Sequence, residues 1–347
     1  MGRRPLPVPS GGFRDIAVLR LSSLGDVILT LPAVRALAHA FPDARISYWT
    51  KEEHAGVLRF EPAIHHLRVL EPEARRLEDL VSMSAELEGC DLIVDLQGSL
   101  RSRLLCFRQP APVLRASSSR LRRARWVHAR WTRPRPAPHA LERYAAALRP
   151  IGVEVAGVPA VTAGAEAEAW AEAWNAGWAR ASRPVALCPG AMHFTKRWPE
   201  ARWIALDAEL RRQGRPRLYL SLESERRALG RLEGAVEGDP DARWVCEPLP
   251  RLAGLLSRCA TAVSGDSGLM HLAAARGLRV VALFGSTAPE LGFAPAGEGH
   301  EVLCRHEPCQ PCTLHGRERC PRGHFRCMEG VAPADVAHAV ARLSLGR

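Results

Sequence analysis

Short apolar runs recur along the chain, each followed by small or polar residues and then by a stretch of helical period. Asp15–Leu21 (DIAVLRL) predicts a buried strand, and Ser22-Ser23-Leu24-Gly25-Asp26 a tight turn after it. Val27 to Ala40 has helical periodicity, with Pro32 in the first turns, where proline is tolerated. Arg45–Trp49 is the next strand. Asp91–Leu96 follows, ending in Gln97-Gly98-Ser99 and a basic helix. Between Arg108 and Pro138 prolines, serines and arginines break the pattern and predict a loop, before helix His139–Leu148.

A second series begins at Arg183–Leu187. It runs through helix Trp203–Gln213, strand Arg217–Ser221, helix Ala228–Glu237, strand Arg243–Cys246 and helix Leu249–Cys259. Thr261–Val263 and Val280–Phe284 are its last strands, joined by a helix that stops at Gly277. Between the two series, Ala163–Ala181 is an alanine-rich amphipathic helix carrying Trp170, Trp174 and Trp178 four apart, a packing face. Strand–helix alternation implies parallel sheets joined by crossovers. The chain therefore divides into a disordered leader 1–13, a domain 14–160, a linker helix 161–182, a domain 183–330 and a C-terminal helix 331–347.

In doubly wound sheets ligands sit at strand C-termini, which singles out the turns. Ser264-Gly265-Asp266-Ser267-Gly268 lies between a strand and a helix whose free N–H groups suit a phosphate. Asp266 and Ser267 are also ordinary N-cap residues; capping does not account for His271 one turn in, beside Gly268. Asp26 sits equivalently in the first domain, and taken alone reads as a first-turn acid worth ~0.3–1 kcal/mol. Lys196 and Arg197 follow a strand and could bind phosphate or be exposed loop charges. Glu223 lies just past strand Arg217–Ser221. No G-x-G-x-x-G is present, so a dehydrogenase-type dinucleotide site is not indicated. Asp239-Pro240-Asp241 has the letters of a D-x-D metal motif and reads as a turn.

Composition narrows the class. The chain has 347 residues, 47% hydrophobic and 24% charged, as expected of a soluble globular protein, and no apolar run approaches a membrane span. Its N-terminus lacks the apolar core of a signal peptide, so a cytoplasmic location is expected. The net charge of +11 is localised: Arg101 to Arg135 holds eleven arginines and no acid. Such a segment suits nucleic acid, anionic lipid or an acidic substrate, or reflects arginine-rich composition. Of ten cysteines, Cys304, Cys309, Cys312, Cys320 and Cys327 crowd the tail with His306, His315 and His324 interleaved. Cys309, Cys312, Cys320 and Cys327 could hold a structural zinc or an iron–sulfur cluster; the later spacings match no standard finger, and free thiols or disulfides are the alternatives.

Four ordered blocks resemble one family. Leu21-Ser22-Ser23-Leu24-Gly25-Asp26-Val27-Ile28-Leu29-Thr30-Leu31-Pro32 is similar to the N-terminal signature of the lipopolysaccharide heptosyltransferases. Asp95-Leu96-Gln97-Gly98, Pro189-Gly190 with Lys196-Arg197-Trp198-Pro199, and Gly265-Asp266-Ser267-Gly268-Leu269-Met270-His271-Leu272-Ala273 match its other blocks. The tail looks most like heptosyltransferase II-like members. The resemblance implies an α/β GT-B fold: two Rossmann-like doubly wound domains facing a crevice, the first binding acceptor and the second, with a Cys-rich insertion 304–327, binding the nucleotide sugar. It also implies inverting transfer of heptose from ADP-heptose to the lipid-anchored inner core of lipopolysaccharide, without a catalytic metal or other required cofactor. Asp26 would be the general base and Lys196 would add positive charge at the leaving phosphate. Ser267, Gly268 and Leu269 would offer backbone N–H groups, Asp266 and His271 would order the loop and bind donor, and Glu223 would accept from the ribose. Ser23, Gln97, Arg101, Arg120 and Arg123 would face the acceptor. The arginines, with Trp126 and Trp131, fit the anionic inner face of the inner membrane and make nucleic acid an unneeded partner. The competing readings are a related transferase with another nucleotide sugar or acceptor, and a non-catalytic basic protein that binds nucleotide or RNA. The second would need aromatics interleaved on its strands, which are lacking.

Overall fold

The computed structural model describes residues 5–70, 83–129, 135–178 and 182–345. Trp131, the first residues of the expected leader and Ala179–Ala181 of the expected linker helix lie outside the described residues. The chain forms two compact units. One comprises the residues up to Arg120 with Pro138–Thr162, the other Leu121–Ala137 with the residues from Ala163 onward.

The first unit is built on β1 (Asp15–Leu19), β2 (Arg45–Lys51), β3 (His66–Leu70), β4 (Leu92–Asp95) and β5 (Val113–Arg115). They form a parallel sheet in the order β3-β2-β1-β4-β5. Ile16, Ala17, Val18 and Leu19 are fully buried, as expected of a central strand covered on both faces. The order reverses between β1 and β4, so the crevice beyond their C-terminal ends is where a ligand is expected. The expected helix Val27–Ala40 is two, Leu24–Leu29 and Leu31–Ala40. At the break the Thr30 hydroxyl turns back to Val27 O (2.6 Å) and meets the Tyr48 hydroxyl (2.7 Å). The leader is tied down from Leu6, whose N–H donates to Pro150 O (2.8 Å), and Phe13 is buried edge-on against Phe41.

The second unit carries β6 (Val185–Cys188), β7 (Arg217–Leu220), β8 (Ala242–Val245), β9 (Thr261–Gly265), β10 (Val280–Phe284) and β11 (Glu301–Cys304). They form a parallel sheet in the order β11-β10-β9-β6-β7-β8, which reverses between β6 and β9. The expected linker is helix Ala165–Gly177 and belongs to this unit. It lies so close to helix Leu249–Leu256 that a Cβ on Gly254 would fall 2.8 Å from Ala167 O. Trp170 is capped by the Arg251 guanidinium, and Trp174 packs edge-on against buried Trp178. The terminal helix Pro333–Leu345 is likewise core: Val336, Ala337, Ala339 and Val340 are fully buried with Trp198, Trp203, Leu206 and Leu210.

Four further elements depart from the sequence expectation. β3 (HLRVL) and β11 (EVLC) are partly exposed edge strands, so they lack the apolar run that marks a buried strand. The segment expected to be loop contains β5 and helix Arg120–His128. From Leu121 on, that segment belongs to the second unit, where buried Arg123 stacks on Phe293 and Ala137 N donates to Glu290 O (2.8 Å). No helix among the described residues is long and apolar enough to cross a membrane.

Candidate active site

β1 ends at Leu19, and the next residue, Arg20, turns its side chain inward. Its Nη1 donates to Leu96 O (2.6 Å) and its Nη2 meets Asp26 Oδ1 at 2.6 Å. The guanidinium also lies over the Tyr144 ring, 5.6 Å from its centroid. Asp26, in the first turn of helix Leu24–Leu29, collects two more bonds. The Tyr144 hydroxyl donates to Oδ1 (2.9 Å) and the Ser23 hydroxyl to Oδ2 (2.9 Å). Ser23, at the N-cap, makes no cap bond with its side chain; the hydroxyl serves Asp26 instead.

Burial would raise the Asp26 pKa, but the Arg20 charge and the hydrogen bonds from Ser23 and Tyr144 outweigh it and hold the carboxyl at about 2. Burial raises the Tyr144 phenol well above its ordinary value, so its proton stays on as donor. Asp26 is thus an anion at neutral pH. Its side chain keeps 15% exposure, and Oδ2, with the Ser23 bond alone, is the oxygen with room for a further donor.

At the neighbouring β4 end, buried Asp95 accepts from Gln97 N (3.1 Å), Gly98 N (2.8 Å) and the Ser102 hydroxyl (3.1 Å), and pairs with Arg115. This carboxylate shapes the turn. Gln97 Oε1 accepts from Leu21 N (3.0 Å) and Ser22 N (3.3 Å), fastening the β1 turn to the β4 turn. Arg101 is half-buried on helix Leu100–Leu105 and Arg120 is exposed. Arg123, expected to face an acceptor, is buried on Phe293 and belongs to the other unit.

In the second unit the β6 and β9 turns meet. Lys196 ends a short 3-10 turn, Phe194–Lys196, and its Nζ lies 2.9 Å from Asp266 Oδ2. That oxygen also accepts from the Thr287 hydroxyl (2.7 Å). Ser267 caps helix Gly268–Ala275 with backbone alone: its hydroxyl lies 3.1 Å from Ser264 Oγ and makes no cap bond. The N–H groups of Ser267, Gly268 and Leu269 stand at the helix start, where backbone donors lack an intrahelical acceptor and suit an anion. His271 is buried one turn in.

Glycines permit the close approach. A Cβ on Gly265 would stand 2.8 Å from Lys196 O, and one on Gly285 would stand 2.9 Å from Thr195 O. Glu223 is exposed, paired with Arg227 across one helical turn. Glu225, which the sequence did not single out, lies against Gly190: a Cβ there would fall 2.1 Å from its Oε2.

The cysteine segment fastens this turn. Thr195 N donates to Arg317 O (3.1 Å), and Arg317 N donates back to the Thr195 hydroxyl (2.8 Å). Ser286 N donates to Thr195 O (3.2 Å) and Cys312 N to Ser286 O (2.9 Å). No disulfide joins any of the ten cysteines. Cys309 Sγ lies 3.7 Å from His324 Nε2. Burial, then the neighbouring Cys312, Cys309 and Cys320, push the Cys327 thiol up to about 12. Among the described residues no three His, Cys, Asp or Glu side chains are placed to hold a metal ion. The expected set of Cys309, Cys312, Cys320 and Cys327 is therefore near but not assembled.

Arg20, Tyr144, Thr195, Thr287 and Glu225 are the site residues that sequence reasoning missed. Arg20 reads as a charge at a strand end, and Tyr144, 118 residues from Asp26, as a helix-face aromatic. No local signal joins them.

Residues 81–320 match the model of glycosyltransferase family 9 (heptosyltransferase). Lipopolysaccharide heptosyltransferase 1 of Pseudomonas aeruginosa is 30% identical over 323 residues, covering 86% of this chain and 85% of that protein. Among solved structures, a family 9 glycosyl transferase of Veillonella parvula superposes with a TM-score of 0.78 at 21% identity, over 96% of this chain and 98% of that one. The ADP-heptose lipopolysaccharide heptosyltransferase II of E. coli gives 0.70 at 20% identity, over 95% and 98%. The fold is the expected GT-B type, two parallel-sheet α/β units. The chain belongs to glycosyltransferase family 9, the heptosyltransferases, and is a glycosyltransferase.

Proposed function

We propose that this enzyme transfers heptose from ADP-heptose to the inner core of lipopolysaccharide with inversion at the anomeric carbon. The observation that carries the reading is Asp26: anionic, reachable, and oriented by Arg20, Tyr144 and Ser23. The acceptor hydroxyl oxygen attacks the anomeric carbon on the face opposite the phosphate, the bond to that phosphate breaks, and the hydroxyl proton passes to Asp26 Oδ2. A carboxylate with a pKa of about 2 is a weak base. It suffices because the hydroxyl proton becomes strongly acidic only as its oxygen bonds to carbon, so proton transfer comes late.

ADP leaves with charge developing on its phosphate. Lys196 and the backbone N–H groups of Ser267, Gly268 and Leu269 meet that charge. Asp266 holds Lys196 in place; His271 supports the same turn and binds donor with Asp266. Glu223 accepts from the ribose hydroxyls. Ser23, Gln97, Arg101 and exposed Arg120 face the acceptor's carboxylates and phosphates, a role we do not extend to buried Arg123. The acceptor is lipid-anchored, which places the enzyme at the cytoplasmic face of the inner membrane.

The cysteine segment is a brace for the Lys196 turn, through Thr195 and Arg317. A structural zinc or iron–sulfur centre on Cys309, Cys312, Cys320 and Cys327 would require those thiols to close further. Elemental analysis of reduced, tag-free protein separates the two: a mole of metal per mole of protein would replace the brace reading. The transfer itself is tested by incubating the protein with ADP-heptose and a panel of truncated lipopolysaccharides. A product heavier by one heptose is expected, and no product with any acceptor would overturn the proposal.

A further inference from the structure

Helix Leu100–Leu105 and the turn after it are apolar on both sides. The inner side is accounted for: Leu105 and Cys106 are buried with Leu19 and Ile93, and Ser102 bonds Asp95. The outer side is not. Leu100 is 76% exposed, Leu104 45% and Phe107 64%; the two leucines are one helical turn apart, and Phe107 follows in the turn that closes the helix. A single exposed leucine is ordinary, but two on a six-residue helix followed by an exposed phenylalanine in the next turn are not.

The charges beside the row along the chain are of one sign. Arg103 and Arg108 are exposed beside it, and the Arg108 guanidinium lies over the Phe107 ring, 5.4 Å from its centroid. No acidic residue occurs between Asp95 and Glu142. An apolar row flanked by long cations, with no anion near in sequence, matches a surface that is negative outside and hydrocarbon just beneath. Arginine stems extend over apolar surface while their heads stay with the headgroups, and a phenylalanine sits well at that boundary.

We infer that Leu100, Leu104 and Phe107 form a membrane-docking face that inserts into the headgroup region of an anionic bilayer, with Arg103 and Arg108 binding lipid phosphates. The inference gives the proposed lipid-anchored acceptor a surface on the enzyme. It does not depend on catalysis, because vesicle binding is read without turnover.

The test is co-sedimentation with vesicles of phosphatidylethanolamine and phosphatidylglycerol, against vesicles of phosphatidylcholine alone. Wild-type protein should pellet with the anionic vesicles. Leu100→Ser, Leu104→Ser and Phe107→Ser together should weaken that binding by at least about tenfold, since each removes an inserting apolar side chain. Arg103→Glu with Arg108→Glu should weaken it by about fivefold or more per charge, an effect that shrinks as salt rises. Unaltered calorimetric ADP affinity in both variants shows that they fold. Wild-type protein left in the supernatant, or a triple variant that pellets equally well, overturns the inference. So does a triple variant whose only change is loss of self-association in sedimentation velocity, which would make a second copy the occupant.

Discussion

Asp26 owes its charge to its neighbours. The same residue in an exposed first turn would titrate near the ordinary carboxylate value; here Arg20, Ser23 and Tyr144 keep it ionised. Asp26→Asn should therefore lower kcat by ~10²–10⁴-fold with ADP affinity intact in calorimetry. Turnover near the wild-type rate would remove Asp26 from the mechanism. The variant also strands the buried Arg20 cation, so it should lose roughly 2–4 kcal/mol of stability at neutral pH. That loss has a pH signature. A depressed carboxyl pKa stabilises the fold above the unfolded value near 3.8, and the contribution disappears as pH falls toward 2. The gap in unfolding free energy between wild type and Asp26→Asn should be full above about pH 4 and should narrow below it. A constant gap would mean the arginine does not set the charge. On the donor side, Glu223→Ala and Glu225→Ala form a pair: loss of ADP affinity in the second alone would move the ribose contact to the acid beside Gly190.

At the scale of elements, the close approach of two turns carries the proposed donor site. Gly265→Ala puts a methyl group 2.8 Å from Lys196 O, where only backbone movement relieves the contact. Overpacking of this kind costs about 1–3 kcal/mol, and it should displace Lys196 and reduce ADP affinity about tenfold. Normal affinity at a lowered melting temperature would separate the glycine from the site. These elements also mark what could be read from the chain alone. β1, β4, β6, β9 and β10 announce themselves, because a strand buried on both faces must be apolar throughout. The small residues after them give the turns away. β3 and β11 escape because edge strands need no apolar run, and helix Arg120–His128 escapes because its arginines break any apolar period. Asp26, Lys196 and Asp266 were legible as members of motifs. Their partners were not: Arg20 meets Leu96 O from 76 residues away and Thr195 meets Arg317 from 122, and periodicity carries no such distances.

At the scale of the molecule, the arginine segment is shared out. Arg120, Arg122 and Arg125 are exposed, whereas Arg123 is packed away on Phe293. Replacing the three exposed residues by glutamine should raise KM for lipid acceptor several-fold, leave ADP affinity alone, and matter less as salt rises. A KM indifferent to both would reduce these charges to composition. The reach of the Asp26 contacts has a further consequence, in the order of synthesis. Arg20 and Asp26 emerge early from the ribosome, but Leu96 comes 76 residues after Arg20, and Tyr144 118 residues after Asp26. Until helix Ala140–Leu148 has been made and docked, the carboxylate lacks its tyrosine. A nascent chain halted before that helix carries Asp26 without its Tyr144 bond, so the proposed base is complete only when the first unit has been made in full.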